Sequence, residues 1–306
     1  MTATTSGVFA AALTPLHEDL SPDHGLFARH CRWLLANGCD GLSILGTTGE
    51  ANSFSREERI EMLDRLLAAG IPAGRLLPGT GCCAIPDTVA LSRHATVHGA
   101  AGVLVLPPFY YKGVSDDGVF AAYSEVIERV GDGRLRVYLY HFPQMAAVPI
   151  GLRLIERLLK RYPGIVVGMK DSSGDLAGMI AMARAFPEFR VLAGSDECLL
   201  PVLREGGAGC ITAVGNVAAV LAAKVLQAHR AGDPQAAEAA QAKLSAVRVA
   251  VSAHPLSAAL KAIMAGHSGI ESWRTLRPPL VRLPAAEAAA LTSALDRLAF
   301  SPPPLD

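Results

Sequence analysis

Eight short apolar runs, most of them followed by a segment of helical period, set the strongest limit on what this 306-residue chain can become. They are GVFAAAL (7–13), GLSILG (41–46), RLLPGT (75–80), GVLVLP (102–107), LRVYLYHF (135–142), IVVGMK (165–170), RVLAG (190–194) and AGCIT (208–212). Continuous apolar runs of strand length predict a sheet buried on both faces, and the helices between them are the crossovers that parallel strands require. Helices are expected at 24–37, 56–69, 86–98, 115–130, 151–161, 174–185 and 197–205, the second opened by a capping box from Ser55 to Glu58. Eight β/α units within ~220 residues suit a (β/α)8 TIM barrel better than an open doubly wound sheet. From about 216 onward the chain is Ala- and Leu-rich helix without strand signals. The expected organisation is therefore an α/β chain with a barrel domain at 1–215, closed by the helix that follows to about 230. A small C-terminal helical extension covers 231–306 and ends in the Pro-rich SPPPLD.

Charge narrows the partners. The 28 basic and 28 acidic side chains balance, which leaves no electrostatic footprint for nucleic acid and no basic cluster for anionic lipid. The N-terminal MTATTSG lacks the charged and apolar regions of a secretory signal, and no apolar run approaches the ~18 residues of a membrane span. A cytoplasmic protein with a small-molecule partner is expected. The six cysteines show no C-x-x-C spacing, so reduced thiols are expected, with the vicinal Cys82 and Cys83 the pair most open to oxidation.

In a barrel, chemistry belongs at the C-terminal ends of the strands. Thr47 and Thr48 follow the second run, where their hydroxyls and the neighbouring amides can hold a carboxylate or simply satisfy a turn. The segment has neither G-x-x-x-x-G-K-[ST] nor G-x-G-x-x-G, so a nucleotide cofactor has no support. Tyr110 and Tyr111 follow the fourth run. Alternation along the fifth puts Tyr138 and Tyr140 on one face and His141 on the other. Lys170 ends the sixth run on the face assigned to Val166 and Gly168. A lysine there has two readings: an ion pair with Asp171 or another carboxylate, or an amine whose neutral form attacks a ketone to make a Schiff base. Two threonines, a tyrosine and a lysine at the ends of strands two, five and six would share one pocket. No cluster of His, Asp and Glu with metal-ligand spacing accompanies them.

In order and spacing, FAAALTPL, GTTGE, PGTG, PPFYY, YHFP, GMKDSSGD, LAGSD and GGAGCIT resemble the dihydrodipicolinate synthase and N-acetylneuraminate lyase superfamily. These are pyruvate-dependent class I aldolases and lyases on a (β/α)8 barrel. The resemblance spans nearly the whole chain and is more specific to the superfamily than to one reaction. It implies that Lys170 forms the imine and that Tyr140 moves protons at the substrate. It also implies that Thr47 and Thr48 hold the pyruvate carboxylate, with Thr47 linking Tyr140 to a tyrosine from a neighbouring subunit. Tyr110 best matches that tyrosine, with Tyr111 the alternative. Gly194 and Ile211 would line the pyruvate pocket through their backbones, and no external cofactor or metal is implied. A homodimer or a dimer of dimers, hence a homotetramer, is the implied assembly.

Departures from the pattern shape the expected substrate. Dihydrodipicolinate synthases carry an arginine two residues after the proline of the Tyr-x-x-Pro loop, whereas here that place is Met145, whose thioether cannot pair with a carboxylate. Ser195, Asp196 and Glu197 follow the seventh-strand glycine, and the acidic pair can accept hydrogen bonds from a polyol. The same carboxylates could serve only the helix that follows. Ala213 stands where the sialic acid enzymes have a serine, which counts against neuraminate itself. The expected activity is cleavage or formation of a 2-keto-3-deoxy sugar acid or a related 4-hydroxy-2-keto acid, with pyruvate and an aldehyde as the small-molecule partners. The alternatives are a keto-deoxy sugar acid dehydratase, a dihydrodipicolinate-type condensation, which Met145 disfavours, and a non-catalytic keto-acid sensor.

Overall fold

A computed structural model describes residues 5–304. Strands β1 (Gly7–Ala11), β2 (Gly41–Ser43), β3 (Val103–Val105), β4 (Val137–His141), β5 (Val166–Asp171), β6 (Arg190–Ala193) and β7 (Gly209–Thr212) form one sheet in the order β2-β1-β7-β6-β5-β4-β3. Every pairing in it is parallel. The eighth stave is the run expected at 75–80, which lies between β2 and β3 without forming a regular strand. Leu77 and Gly79 donate their N–H groups to Leu42 and Ile44, both at 2.8 Å, while Thr80 N–H reaches Leu104 O at 2.9 Å and Leu104 N–H reaches Pro78 O at 2.9 Å. Pro78 has no N–H of its own to add to this ladder. The segment nevertheless closes the sheet into a TIM barrel.

Helices α1 (His24–Ala36), α2 (Arg56–Ala68), α3 (Ile85–Val97), α4 (Asp116–Val130), the short α5 (Pro143–Ala146), α6 (Leu152–Arg161), α7 (Leu176–Ala185) and α8 (Leu199–Arg204) connect the staves. Four more follow: α9 (Gly215–Arg230), α10 (Pro234–Ser252), α11 (Leu256–Ser268) and α12 (Ala285–Arg297). The capping box forms at α2, with Ser55 Oγ accepting from Glu58 N–H and the Glu58 carboxylate accepting from Ser55 N–H; losing such a cap costs about 1 kcal/mol. α9 packs on β1 and carries α10 on its outer side. Among the described residues, no single helix is long and apolar enough to cross a membrane.

The barrel interior is filled by Phe9, Leu77, Leu104, Tyr138, Val167, Leu192 and Ile211. Tyr138 plugs the lower end, its hydroxyl accepting the Thr5 N–H at 3.0 Å, and Tyr140 lies two residues further up the same face. Between β4 and β5 the register jumps from Val137 opposite Val166 to Tyr138 opposite Gly168. Val167 is the extra residue of this bulge, and it turns inward while Val166 stays in the outer layer. Simple alternation had placed Val166 on the face of Lys170; the bulge puts Val167 there instead, with Gly168 and Lys170. A Cβ on Gly168 would lie 2.7 Å from the Tyr138 ring, so glycine is what lets the tyrosine occupy the barrel axis.

Candidate active site

A cavity of about 530 Å³ opens at the C-terminal mouth of the barrel, within the usual range for small-molecule sites. Its floor is made by Thr47, Thr48, Tyr140 and Lys170; the loops after β5, β6 and β7 add Ser172, Gly194, Ser195 and Ala213. Met145 and Arg248 stand on its walls. A second cavity of about 320 Å³ lies between α1 and α11 against Trp33 and Trp273. It holds neither the lysine nor the hydroxyl groups just described.

Lys170 is only 4% exposed. β-Register pairs it with Tyr140 on one side and Leu192 on the other. Its Nζ sits 4.6 Å from the centre of the Tyr140 ring, a cation–π distance when the amine is charged. Among the described residues it makes no salt bridge. Asp171, the partner offered by the structural reading of this lysine, faces the other way, and its Oδ1 accepts the Ser173 N–H at 2.8 Å. Burial pushes the Asp171 carboxyl up and the neighbouring His141 imidazole down, each shift opposed by the other group's charge. The ion-pair reading of Lys170 thus lacks its partner, and the amine faces the cavity.

The threonine loop is held from behind. Leu45 and Glu50 adopt positive φ, 56° and 59°, which non-glycine residues keep only when surroundings enforce it. The buried Glu50 carboxylate pairs with the fully buried Lys261 of α11 and accepts the Arg277 N–H at 3.0 Å. Lys261 also donates to Thr275 O at 2.7 Å. Burial pulls the Lys261 ammonium down and the Glu50 charge holds it up. The chain therefore has two buried lysines in different roles: Lys261 is tied to a carboxylate and Lys170 is not. Thr47 Oγ1 lies 3.5 Å from Tyr140 Oη, long for a hydroxyl pair but of the kind that tightens when substrate arrives.

Other residues expected at the site are placed as follows. Thr48 is 7% exposed at the cavity wall. Gly194 lines the cavity, and a Cβ there would meet Ser172 Oγ at 2.2 Å and Asp171 O at 2.5 Å. Ser195 is also on the wall. Asp196 is not: it is completely buried behind the cavity, its carboxylate turned toward Arg248 and the Thr212 hydroxyl, so it does not make the direct polyol contact expected of it. Burial pushes its carboxyl up, opposed first by the Arg248 charge and then by the Thr212 hydroxyl. Alternation along β7 sends the Ile211 side chain to the barrel axis, so any part of it in lining the pocket falls to its backbone, as expected. Tyr110 is 73% exposed and packs edge-on against Tyr111, with ring centres 5.3 Å apart. It is not part of this chain's cavity wall. Met145 is 60% exposed at the mouth.

Sequence reasoning missed Arg248 and the Glu50–Lys261 pair. Lys261 had a signal, as a lone charge in the apolar AALKAIM face of a helix. Arg248 had none, since its position over the mouth depends on how α10 lies across the barrel.

A family model described as Dihydrodipicolinate synthetase family matches residues 4–298. The chain belongs to the dihydrodipicolinate synthetase family. It is a class I aldolase or lyase of the Schiff-base type that this family represents. It is 38% identical to an uncharacterised DapA-like lyase of Chloroflexus aurantiacus, over 95% of this chain and 96% of that one. The crystal structure of dihydrodipicolinate synthase from Agrobacterium tumefaciens superposes with a TM-score of 0.88 at 31% identity, covering 97% of this chain and 100% of the other. YagE from E. coli, a family protein solved in complex with pyruvate, superposes with a TM-score of 0.89 at 28% identity, covering 97% and 99%.

Proposed function

We propose that this dihydrodipicolinate synthetase family enzyme is a pyruvate-dependent lyase that cleaves or forms a 4-hydroxy-2-keto acid, with a 2-keto-3-deoxy sugar acid as the type of substrate. The observation that carries this reading is the buried, salt-bridge-free Lys170 beside Tyr140 in the cavity at the barrel mouth. The pyruvate complex of YagE supports a keto acid as the partner of this lysine.

In the cleavage direction the Lys170 amine attacks the ketone carbon, and water leaves to give a protonated imine. The imine draws the electron pair of the breaking carbon–carbon bond into an enamine as the aldehyde departs. Tyr140 accepts the proton of the substrate's 4-hydroxyl and passes it on through Thr47. Protonation of the enamine and hydrolysis then release pyruvate and free Lys170. Thr48 and the backbone around it hold the carboxylate. No step needs a metal or an organic cofactor. Tyr110, exposed on its own chain, would complete the hydroxyl relay in a second copy's site, making a dimer the working unit and a dimer of dimers its natural extension.

Met145 at the mouth favours this reaction over dihydrodipicolinate synthesis, because its thioether offers nothing to a carboxylate. The test is a panel of 4-hydroxy-2-keto acids assayed for pyruvate release with a coupled dehydrogenase. Pyruvate plus an aldehyde is the expected outcome. A dehydrated keto acid without pyruvate would replace lyase by dehydratase, and ligand binding without turnover would leave only a sensor.

A further inference from the structure

Away from the mouth, metal-ligating side chains converge where α2 and α3 end: Asp64 on α2 meets His94 on α3 and His98 at its C-terminal cap. A ligand atom from each residue lies within 4.8 Å of one from both others. The histidines are four residues apart, which sets them on one face of α3, and their ring centres are 4.3 Å apart with the planes tilted by 47°. His94 Nε2 donates to Asp64 Oδ1 at 2.7 Å. His98 Nδ1 donates to the His94 backbone carbonyl at 2.9 Å. In the neutral imidazole that bond leaves the lone pair on His98 Nε2, which makes no hydrogen bond among the described residues. One ring nitrogen held by a carbonyl and the other free is how a metal-binding histidine is oriented. A simple ion pair would account for His94 with Asp64, but a second imidazole 4.3 Å away opposes the charge that such a pair needs. The arginines next in sequence are engaged elsewhere, Arg65 with Glu61 and Arg93 with the Arg129 carbonyl.

We propose that Asp64, His94 and His98 form a site for a divalent ion of the zinc type, which clamps α2 to α3. Two imidazoles and a carboxylate suit such a borderline cation better than magnesium or calcium, which prefer oxygen. Tetrahedral ligands with bonds of about 2.0 Å lie about 3.3 Å apart, so rotation of these side chains closes the set. The His94 and Asp64 side chains are 20% and 47% exposed and have room to turn. Water supplies the fourth ligand. The partial negative charge of two helix C-termini adds to that of the carboxylate. None of the three residues lines the cavity at the barrel mouth. Helices of a parallel barrel run back from that mouth, so their C-terminal ends lie at the opposite face, where an ion serves stability and not the reaction.

Isothermal titration of the full chain with Zn²⁺, in buffers of different ionisation enthalpy, tests the site. The expected result is saturable binding of about one ion per chain with release of about one proton, because the hydrogen that His94 shares with Asp64 leaves when the metal takes that nitrogen. His94→Gln, His98→Gln and Asp64→Asn should each weaken binding by about tenfold or more, and excess Mg²⁺ should not compete. The double variant Cys82→Ser with Cys83→Ser removes the more accessible thiols and should bind Zn²⁺ as the wild type does. Zn²⁺ should raise the Tm of the wild type and leave that of His98→Gln unchanged. Far-UV circular dichroism checks that each variant is folded; the substituted side chains are at the surface, and His98→Gln alone decides the matter should another variant unfold. No saturable binding, displacement by Mg²⁺, or binding that survives both histidine substitutions overturns the site. Binding lost with the cysteines instead assigns the ion to them and overturns it as well.

Discussion

Lys170 and Tyr140 are register partners on adjacent strands, with the lysine Nζ 4.6 Å from the centre of the tyrosine ring. The pairing follows from the barrel: both residues lie at C-terminal strand ends, and the bulge at Val167 brings their side chains into phase. The tyrosine hydroxyl points on toward Thr47, at 3.5 Å. The proposed nucleophile and its proposed proton carrier are thereby fixed by backbone hydrogen bonds rather than by loops.

Tyr140→Phe keeps the ring over the lysine and removes the hydroxyl. We expect kcat to fall by about 10²–10⁴, the range of general acid–base catalysis. Trapping of pyruvate should still occur, but more slowly. A kcat within a factor of two of wild type, measured by coupled pyruvate release, would show that the proton travels elsewhere.

Tyr110 tests the role of a second copy. Tyr110→Phe should lower kcat while Tyr111→Phe changes it little. Mixed assemblies of Tyr110→Phe and Lys170→Ala chains should be more active than either parent, because one site then receives an intact lysine from one chain and an intact tyrosine from the other. Mixtures no more active than the average of the parents would place Tyr110 outside the relay.

Much of this was legible in the sequence, for physical reasons that can be named. Buried parallel strands need continuous apolar runs, and a barrel's cavity opens where those runs end, so the meeting of Lys170, Tyr140 and the Thr47–Thr48 pair around one cavity could be expected before any coordinates. The segment at 75–80 was legible as a stave, yet Pro78 keeps it from being a regular strand. Alternation failed at Val166 because a bulge is a two-strand event that one strand's sequence does not announce. Asp196 was expected to reach the substrate from its position just after the seventh-strand glycine. Its burial depends on how α10 packs beside it, which the local sequence does not announce. Arg248 was invisible because long-range placement of α10 sets its position at the cavity wall.

The buried Glu50–Lys261 pair holds the threonine loop against α11. Lys261→Met would strand the Glu50 carboxylate without its counter-ion, and removing one member of a buried pair costs about 3–5 kcal/mol. Denaturant unfolding should show a loss of that order. The double variant Glu50→Gln with Lys261→Met should recover most of it. Equal losses in single and double variants would mean that packing, not charge, holds this corner.

His30 sets part of the acid stability. Asn216 donates both its N–H groups to Ala11 O and Ala213 O, so its Oδ1 accepts from His30 Nε2 at 2.9 Å. Burial pushes this imidazole from its ordinary 6.5 down to about 4. The unfolded chain therefore takes up a proton as pH falls through 6.5, while the folded one resists until about 4. Stability from this residue is fully present above the unfolded value and lost as pH falls toward the folded one, by about 3 kcal/mol in all. In His30→Gln, unfolding free energy measured from pH 7 to pH 4 should depend less on pH by up to one proton; an unchanged slope contradicts the assignment.

The central claim is that Lys170, and not the more deeply buried Lys261, is the amine that captures pyruvate. Incubation of the native enzyme with pyruvate and sodium borohydride, followed by peptide mass spectrometry, tests it directly. The expected result is loss of activity with a reduced pyruvate adduct on the peptide that contains Lys170 and none on Lys261. An unmodified Lys170 in an enzyme that still releases pyruvate, or an adduct on Lys261 instead, would contradict the account.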